Sequence, residues 1–263
     1  MEAFLAPDYL RPENFLKLTI VLFFIIFIRY LLVSGLYHYI FFTLFRKKLR
    51  QRIINASPKQ KKQLKKEIYW SAITSLIFAV SGTGMVLLWQ RGYTQIYTDF
   101  SAYPMWYTFV GVGVALFIHE TYYYWIHRWM HRPKIFRRIH KVHHESTKTS
   151  SLTSFSFHPI ESVLQAIVVP VIVLFLPLHI YAILFLLMLM TFSGTINHAG
   201  VEIYPKSFQR HWLGKWLIGA THHDLHHKQF RFNFGLYFTF WDKWMHTESP
   251  DFEEKFEEKT NPL

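Results

Sequence analysis

The stretch from His127 to His144, HRWMHRPKIFRRIHKVHH, decides how this chain is read. Five histidines fall in it: His127 and His131 stand four apart, and His140, His143 and His144 follow an i, i+3, i+4 pattern. On a helix these separations stack side chains on one face. A matching triplet, His223, His226 and His227 in THHDLHH, lies about eighty residues later. Eight imidazoles are too many for one tetrahedral ion and suit two ions sharing a basin; neutral imidazole suits iron, zinc and copper.

Composition says where such a basin sits. Of 263 residues, 51% are hydrophobic and 19% aromatic, with long uncharged runs unlike those of a soluble domain. The net charge of +12 is concentrated between those runs, as in loops at a cytoplasmic membrane face. That alternation argues against a nucleic-acid partner. The chain has no cysteine, which excludes disulfides, iron–sulfur clusters and thiolate zinc sites and leaves His, Asp and Glu as strong ligands. The opening MEAFLAPDYLRPEN lacks the basic region and cleavage site of a signal peptide, so the first apolar run reads as a retained anchor.

The apolar runs predict an all-α, multi-pass membrane fold. A first helix covers roughly Phe15 to Phe45, followed by a basic cytoplasmic stretch with a break at Ser57-Pro58. A second span runs from Ile68 to Gln90, with Gly82 and Gly84 where helices approach. A third begins at Pro104 and delivers His127 and His131 to the cytoplasmic side, ending near Pro133. The apolar stretch from Ile160 to Ile196 is too long for one span, and Leu176-Pro177-Leu178 makes it a hairpin that returns His198 to the same side. Span counting thus puts every histidine cluster on one face. Residues 1–103 are expected to form N-terminal spans with a basic loop, and 104–263 the catalytic region, as one integrated unit. The acidic tail DFEEKFEEK reads as a solvated helix or a frayed end.

With its three boxes HxxxH, HxxHH and HxxHH, and the contexts YYYWIHRWMH, SFSFHPIES and NFGLYFTFWDKWMHTE, the sequence resembles the membrane fatty acid hydroxylase and sterol desaturase superfamily. The likeness covers roughly Pro104 to Glu248 and is nearest in character to the sterol desaturase branch. It implies four to five membrane crossings under a cytoplasmic helical cap, in a bacterial inner membrane or the endoplasmic reticulum. It further implies two iron ions, for which zinc competes in purified protein, and dioxygen as co-substrate. The substrate is a sterol-like or fatty-acyl lipid, hydroxylated or desaturated at a C–H bond. Electrons come from a separate b-type cytochrome or ferredoxin with its reductase. No side-chain acid or nucleophile is expected to act beyond the ligands. The resemblance adds His198, in TINHAGVE, and His222 to the eight box histidines as ligands. In WMHTE many relatives carry glycine in place of His246, so His246 is not expected to bind metal.

His158, before a proline, is a weaker candidate, while His38, His179 and His211 read as interfacial or hydrogen-bonded residues. His119 lies on the stripe with Tyr123 and His127 and is expected in a helix–helix hydrogen bond or behind the ligands. Glu120, Glu145, Glu161, Asp224 and Asp242 are acceptors able to orient ligand imidazoles, or partners of nearby Arg and Lys. The Tyr122–Trp125 run and Phe192 are candidate substrate lining. A zinc-dependent membrane hydrolase is disfavoured by the absence of HExxH, and a metal transporter or storage protein by the histidines' position at span ends.

Overall fold

The computed structural model describes residues 7–55 and 61–261; the expected break at Ser57-Pro58 lies outside them. The fold is all-α, organised around helices α1 (Pro12–His38), α2 (Lys61–Gln90), α3 (Met105–Met130), α4 (Pro159–Ala166), α5 (Val168–Phe175) and α6 (Ile180–His198). Three shorter helices follow: α7 (Ala220–Gln229), α8 (Phe240–Trp244) and α9 (Phe252–Thr260). Its one sheet among the described residues is a parallel pair of two-residue strands, β1 (Ile96–Tyr97) and β2 (Leu178–His179).

Three described helices are long and apolar enough to cross a membrane: Pro12–Leu44, which includes the π-helical end of α1, then α2 and α6. α3 has 26 residues, long enough to span, but its second half carries histidines and charges. The polarity of the bundle is that of a membrane protein. α2 buries Ser71, Thr74, Ser75, Ala79 and Thr83, whereas Leu16, Phe24, Leu32, Phe109 and Phe185 face outward. Small residues let the helices approach, and hydroxyls cross-link them: Thr19 to Thr83 at 3.0 Å and Thr74 to Ser162 at 2.8 Å. The expected glycine contact is only half present. A side chain at Gly82 would meet Leu22, but Gly84 faces open space.

The hairpin after Pro159 also departs from a full span. α4 and α5 are eight residues each, so this arm is shorter than the ~20 residues a crossing needs. It turns at 176–179, where β2 pairs with β1, and α6 returns. Pro159 opens α4 at its first position, and the His179 ring accepts the Tyr181 N–H to cap α6.

Hydrogen bonds identify the two ends of the bundle. At one, Gln90 and Tyr9 join α2 to the start of α1, and the Tyr107 hydroxyl donates to the Pro177 carbonyl. At the other, Tyr30 and Ser34 of α1 donate to the carbonyls of Leu152 and Ser151. The C-terminal ends of α1, α3 and α6 and the N-terminal ends of α2 and α4 meet there, capped by α7–α9.

Candidate metal centre

All the box histidines are carried to that second end. α3 supplies His127 and, as its C-terminal cap, His131. Pro133 restarts the chain as a one-turn helix, a π-helical turn Phe136–His140 widens it, and Lys141–His144 completes it. α6 ends on His198, and α7 carries His223, His226 and His227.

The rings sort into two groups whose nitrogens lie within 4.8 Å of one another. One holds His127, His131, His140, His144 and His226; the other holds His143, His198, His223 and His227. The groups abut: the His144 and His227 rings are 4.4 Å apart between centroids. Each HxxHH box is therefore divided. His140 and His144, four apart, join the first group and His143 the second, while His223 and His227 join the second and His226 the first. Every member is buried except His131, which is partly exposed.

Hydrogen bonding fixes which nitrogen faces inward. The Nδ1–H groups of His127, His226 and His198 donate to the carbonyls of Phe234, Phe232 and Gly194 at 2.8, 2.7 and 2.7 Å. His143 reaches the Ser156 carbonyl at 3.3 Å, and His140 donates to Glu161 Oε1 at 2.8 Å. With the Nδ1 proton placed, a neutral ring leaves a bare lone pair on Nε2. Yet Nε2 of His127 lies 3.1 Å from Nε2 of His140, and Nε2 of His198 lies 3.1 Å from that of His143. Lone pairs facing at that range repel unless a cation lies between them. The arrangement thus fits metal ions held through Nε2. Burial pushes the imidazoles of His140, His143, His144, His223, His226 and His227 well below the ordinary histidine range, which keeps them neutral.

The loop after α7 is built to present those carbonyls. Asn233 sits at φ 62°, a conformation asparagine tolerates, and its side chain bonds the His222 carbonyl and the Ser249 N–H. Gly235 has no room for a side chain: a Cβ would come 2.5 Å from the Phe238 carbonyl oxygen and 2.9 Å from Glu120 Oε1. Two buried carboxylates hold the loop. Asp242 accepts the N–H groups of Phe234 and Gly235 at 2.8 and 2.9 Å, and Glu120 those of Leu236 and Tyr237 at 2.9 and 2.8 Å. Burial pushes the Asp242 carboxyl up to about 6.

Of the five expected acceptors, then, Glu161 alone bonds a histidine of the groups. Glu120 and Asp242 act through the loop, Glu145 pairs with Lys66, and Asp224 pairs with Lys228 at 2.6 Å. His222 falls outside both groups; it is buried, lies beside Phe252, and has Glu248 at 4.0 Å. His158 caps α4 by accepting the Ile160 N–H, His179 bonds the Thr98 carbonyl, and His38, His211 and His246 are exposed. His119 makes no helix–helix hydrogen bond with any described residue. Among the candidate lining, Tyr122 donates to the Leu164 carbonyl and Phe192 faces outward.

Two residues escaped the sequence reading. Glu202 accepts the N–H groups of Tyr204 and Thr221, so its buried carboxylate caps and aims α7. Asn197 donates to the Leu236 carbonyl at 2.7 Å, tying α6 to the loop. Both sit in TINHAGVE beside His198, where a polar residue amid an apolar helix end was the available signal.

Fold and site together define a helical membrane-type protein with two abutting multi-histidine groups that, among the described residues, include no carboxylate. The chain belongs to the fatty acid hydroxylase family, whose model matches residues 112–247. Lathosterol oxidase of Mus musculus is 31% identical over 189 residues, 70% of this chain and 60% of that protein. The Homo sapiens lathosterol oxidase is 30% identical over 185 residues, with 70% and 60% covered. The Delta(7)-sterol 5(6)-desaturase ERG3B of Gibberella zeae is 28% identical over 184 residues, covering 70% and 55%. The chain thus spans about 60% or less of the length of these relatives. No solved structure matches it.

Proposed function

We propose that this chain is a membrane-bound, non-haem di-iron oxidoreductase that uses dioxygen and two external electrons on a lipid C–H bond. The single observation that carries the reading is the pair of abutting histidine groups in which five rings have Nδ1–H tied outward to oxygen and Nε2 lone pairs converge. His127, His131, His140, His144 and His226 would hold one iron, and His143, His198, His223 and His227 the other. Bound there, the metals supply the redox chemistry that activates dioxygen. Hydroxylation takes R–H, O2, two electrons and two protons to R–OH and water; desaturation takes a CH–CH unit, O2, two electrons and two protons to a double bond and two waters.

The protein's own residues orient and exclude. Glu161 and the carbonyls of Phe232, Phe234, Ser156 and Gly194 fix ring orientation. Phe157 packs on His143 and Phe230 on His144, limiting water at the rings. A zinc hydrolase would need a carboxylate base at the metal, whereas Glu161 is held on His140 and neither histidine group includes a carboxylate. The sterol desaturase relatives support a sterol-like or fatty-acyl substrate. The basic residues around the histidine end support a cytoplasmic metal site and docking of a separate acidic electron donor, a b-type cytochrome or ferredoxin.

Elemental analysis and Mössbauer spectroscopy of iron-loaded protein, followed by 18O2 turnover against extracted membrane lipids, test the proposal. Two irons per chain and dioxygen-dependent lipid oxidation are expected, and His222→Leu should keep both irons. One ion per chain, or activity surviving His144→Ala, sinks the coupled site.

A further inference from the structure

We infer that α8 and the turn tip Trp212-Leu213 form an in-plane anchor that seats the histidine-bearing end in the headgroup region of an anionic membrane leaflet. The anchor follows from the membrane fold and does not depend on the oxidation chemistry proposed above.

The outer face of α3 changes character along its length. Phe109, Val114 and Phe117 are exposed in its first half, whereas Arg128 and the following Arg132 are exposed at its end. Outward phenylalanines belong in hydrocarbon and outward arginines in headgroups or water, so the edge of the bilayer falls between them. α8 packs at that edge. Phe240 stacks on Phe117 with centroids 5.6 Å apart, and the Trp241 Nε1–H donates to the Thr121 hydroxyl at 3.0 Å. Phe117 precedes His127 by ten residues, so α8 reaches about 15 Å below the level of that histidine along α3.

What this edge turns outward is aromatic and basic. Trp244 is 54% exposed, and Trp125, beside Trp241, is 45% exposed. The Trp212-Leu213 tip, 72% and 47% exposed, is pinned to the start of α8. There the carbonyls of Lys215 and Trp216 accept the hydroxyl and the N–H of Thr239 at 2.7 and 2.9 Å. Large rings with one polar edge gather where hydrocarbon meets headgroups. Arg128 lies over Trp125 at 5.8 Å and Lys215 over Trp216 at 5.1 Å. Nearby acids are already matched: Glu248 by Lys243, and Glu253 and Glu257 by Arg210. The exposed cations Arg128, Lys206 and Lys215 are left over. Anionic lipid meets both the rings and the charge. A soluble acidic protein meets the charge alone, since α8 lies level with the apolar half of α3.

The chain has no native cysteine, so a nitroxide on Leu213→Cys or Trp244→Cys reports on one position. Full-length protein is placed in nanodiscs of phosphatidylcholine with or without phosphatidylglycerol. Power-saturation EPR then compares collisions with oxygen and with a water-soluble nickel chelate. With phosphatidylglycerol present, both labels should lie about 5–10 Å inside the headgroup boundary. A label at Glu254→Cys on α9, where the side chain is 81% exposed, should read as aqueous. Omitting phosphatidylglycerol, or combining Lys206→Glu with Lys215→Glu, should cut the depth at Leu213 by about half. Intrinsic fluorescence covers the case in which a label perturbs the anchor: brominated lipid should quench the wild type more than the chain carrying Trp212→Phe and Trp244→Phe. Either label reading as aqueous as Glu254, a depth indifferent to phosphatidylglycerol, or equal quenching of the two chains overturns the inference. The aqueous reading would assign these rings to a soluble partner instead.

Discussion

His127 and His140 face each other Nε2 to Nε2 at 3.1 Å, while the Nδ1–H of each is held by an oxygen 2.8 Å away. Neither neutral ring has a proton left to place between them, so the contact is favourable only around a cation. A native state organised by metal should lose stability without it. Stripping the ions with a strong chelator is expected to lower the melting temperature by about 10 °C, as follows from binding at roughly a thousandfold above Kd. Differential scanning calorimetry before and after chelation, then after re-addition of Fe(II), checks this; an unchanged melting temperature would contradict the assignment.

Glu161 is the carboxylate in direct contact with the groups, through His140. Its substitution should act locally. Glu161→Gln retains an acceptor but loses the carboxyl that fixes the His140 ring, and is expected to weaken metal binding at the five-histidine group about tenfold or more. The four-histidine group, whose Nδ1 partners are backbone carbonyls of Ser156 and Gly194, should keep its affinity. Competitive titration with a chromophoric chelator resolves the two steps, and equal weakening of both would refute the separation.

Much of this was legible in the sequence because two periodicities coincide. Histidines at i, i+4 face one way on any helix, and apolar runs of membrane length put each cluster at a span's end. The sorting into groups was not legible. That His143 joins His198 rather than His140 depends on how α6, α7 and the π-helical turn pack together. Nor does sequence reveal backbone acceptors: the carbonyls of Phe232 and Phe234 are functional only because Asn233, Gly235, Glu120 and Asp242 shape the loop. The break between α4 and α5 was not legible, since hydropathy records composition and not where a helix breaks.

Asp242 gives the loop a pH signature. Its carboxyl is pushed up to about 6 by burial, from an ordinary 3.8. As pH rises, the unfolded chain releases this proton first, so between those values the folded state holds more protons and stability falls with pH. The loss is complete above about 6 and amounts to about 3 kcal/mol. Asp242→Asn removes the titration and sets an amide against the Gly235 N–H, a pH-independent cost. The stability gap between wild type and variant should therefore be widest below about pH 3 and shrink by about 3 kcal/mol by pH 7. Denaturant unfolding of both chelated proteins across that range measures the gap. A constant difference would mean that Asp242 is ionised throughout in the folded chain.

His246 closes α8 in the left-handed region at φ 54° with an exposed side chain. A non-glycine residue there is strained by its Cβ, which accounts physically for the glycine that the resemblance led us to expect at this position. The next residue matters more: Thr247 donates its hydroxyl to Asp242 and its carbonyl accepts the Asn233 N–H, so the turn is coupled to the carbonyl-presenting loop. His246→Gly should relieve the strain while making the unfolded chain more flexible, for a net gain of about 0.5 kcal/mol. Both irons should be retained, since the ring lies outside both groups. Calorimetry paired with iron analysis tests both halves. A variant that lost an iron would put His246 in the centre, and one destabilised by more than about 1 kcal/mol would show that its side chain holds the turn.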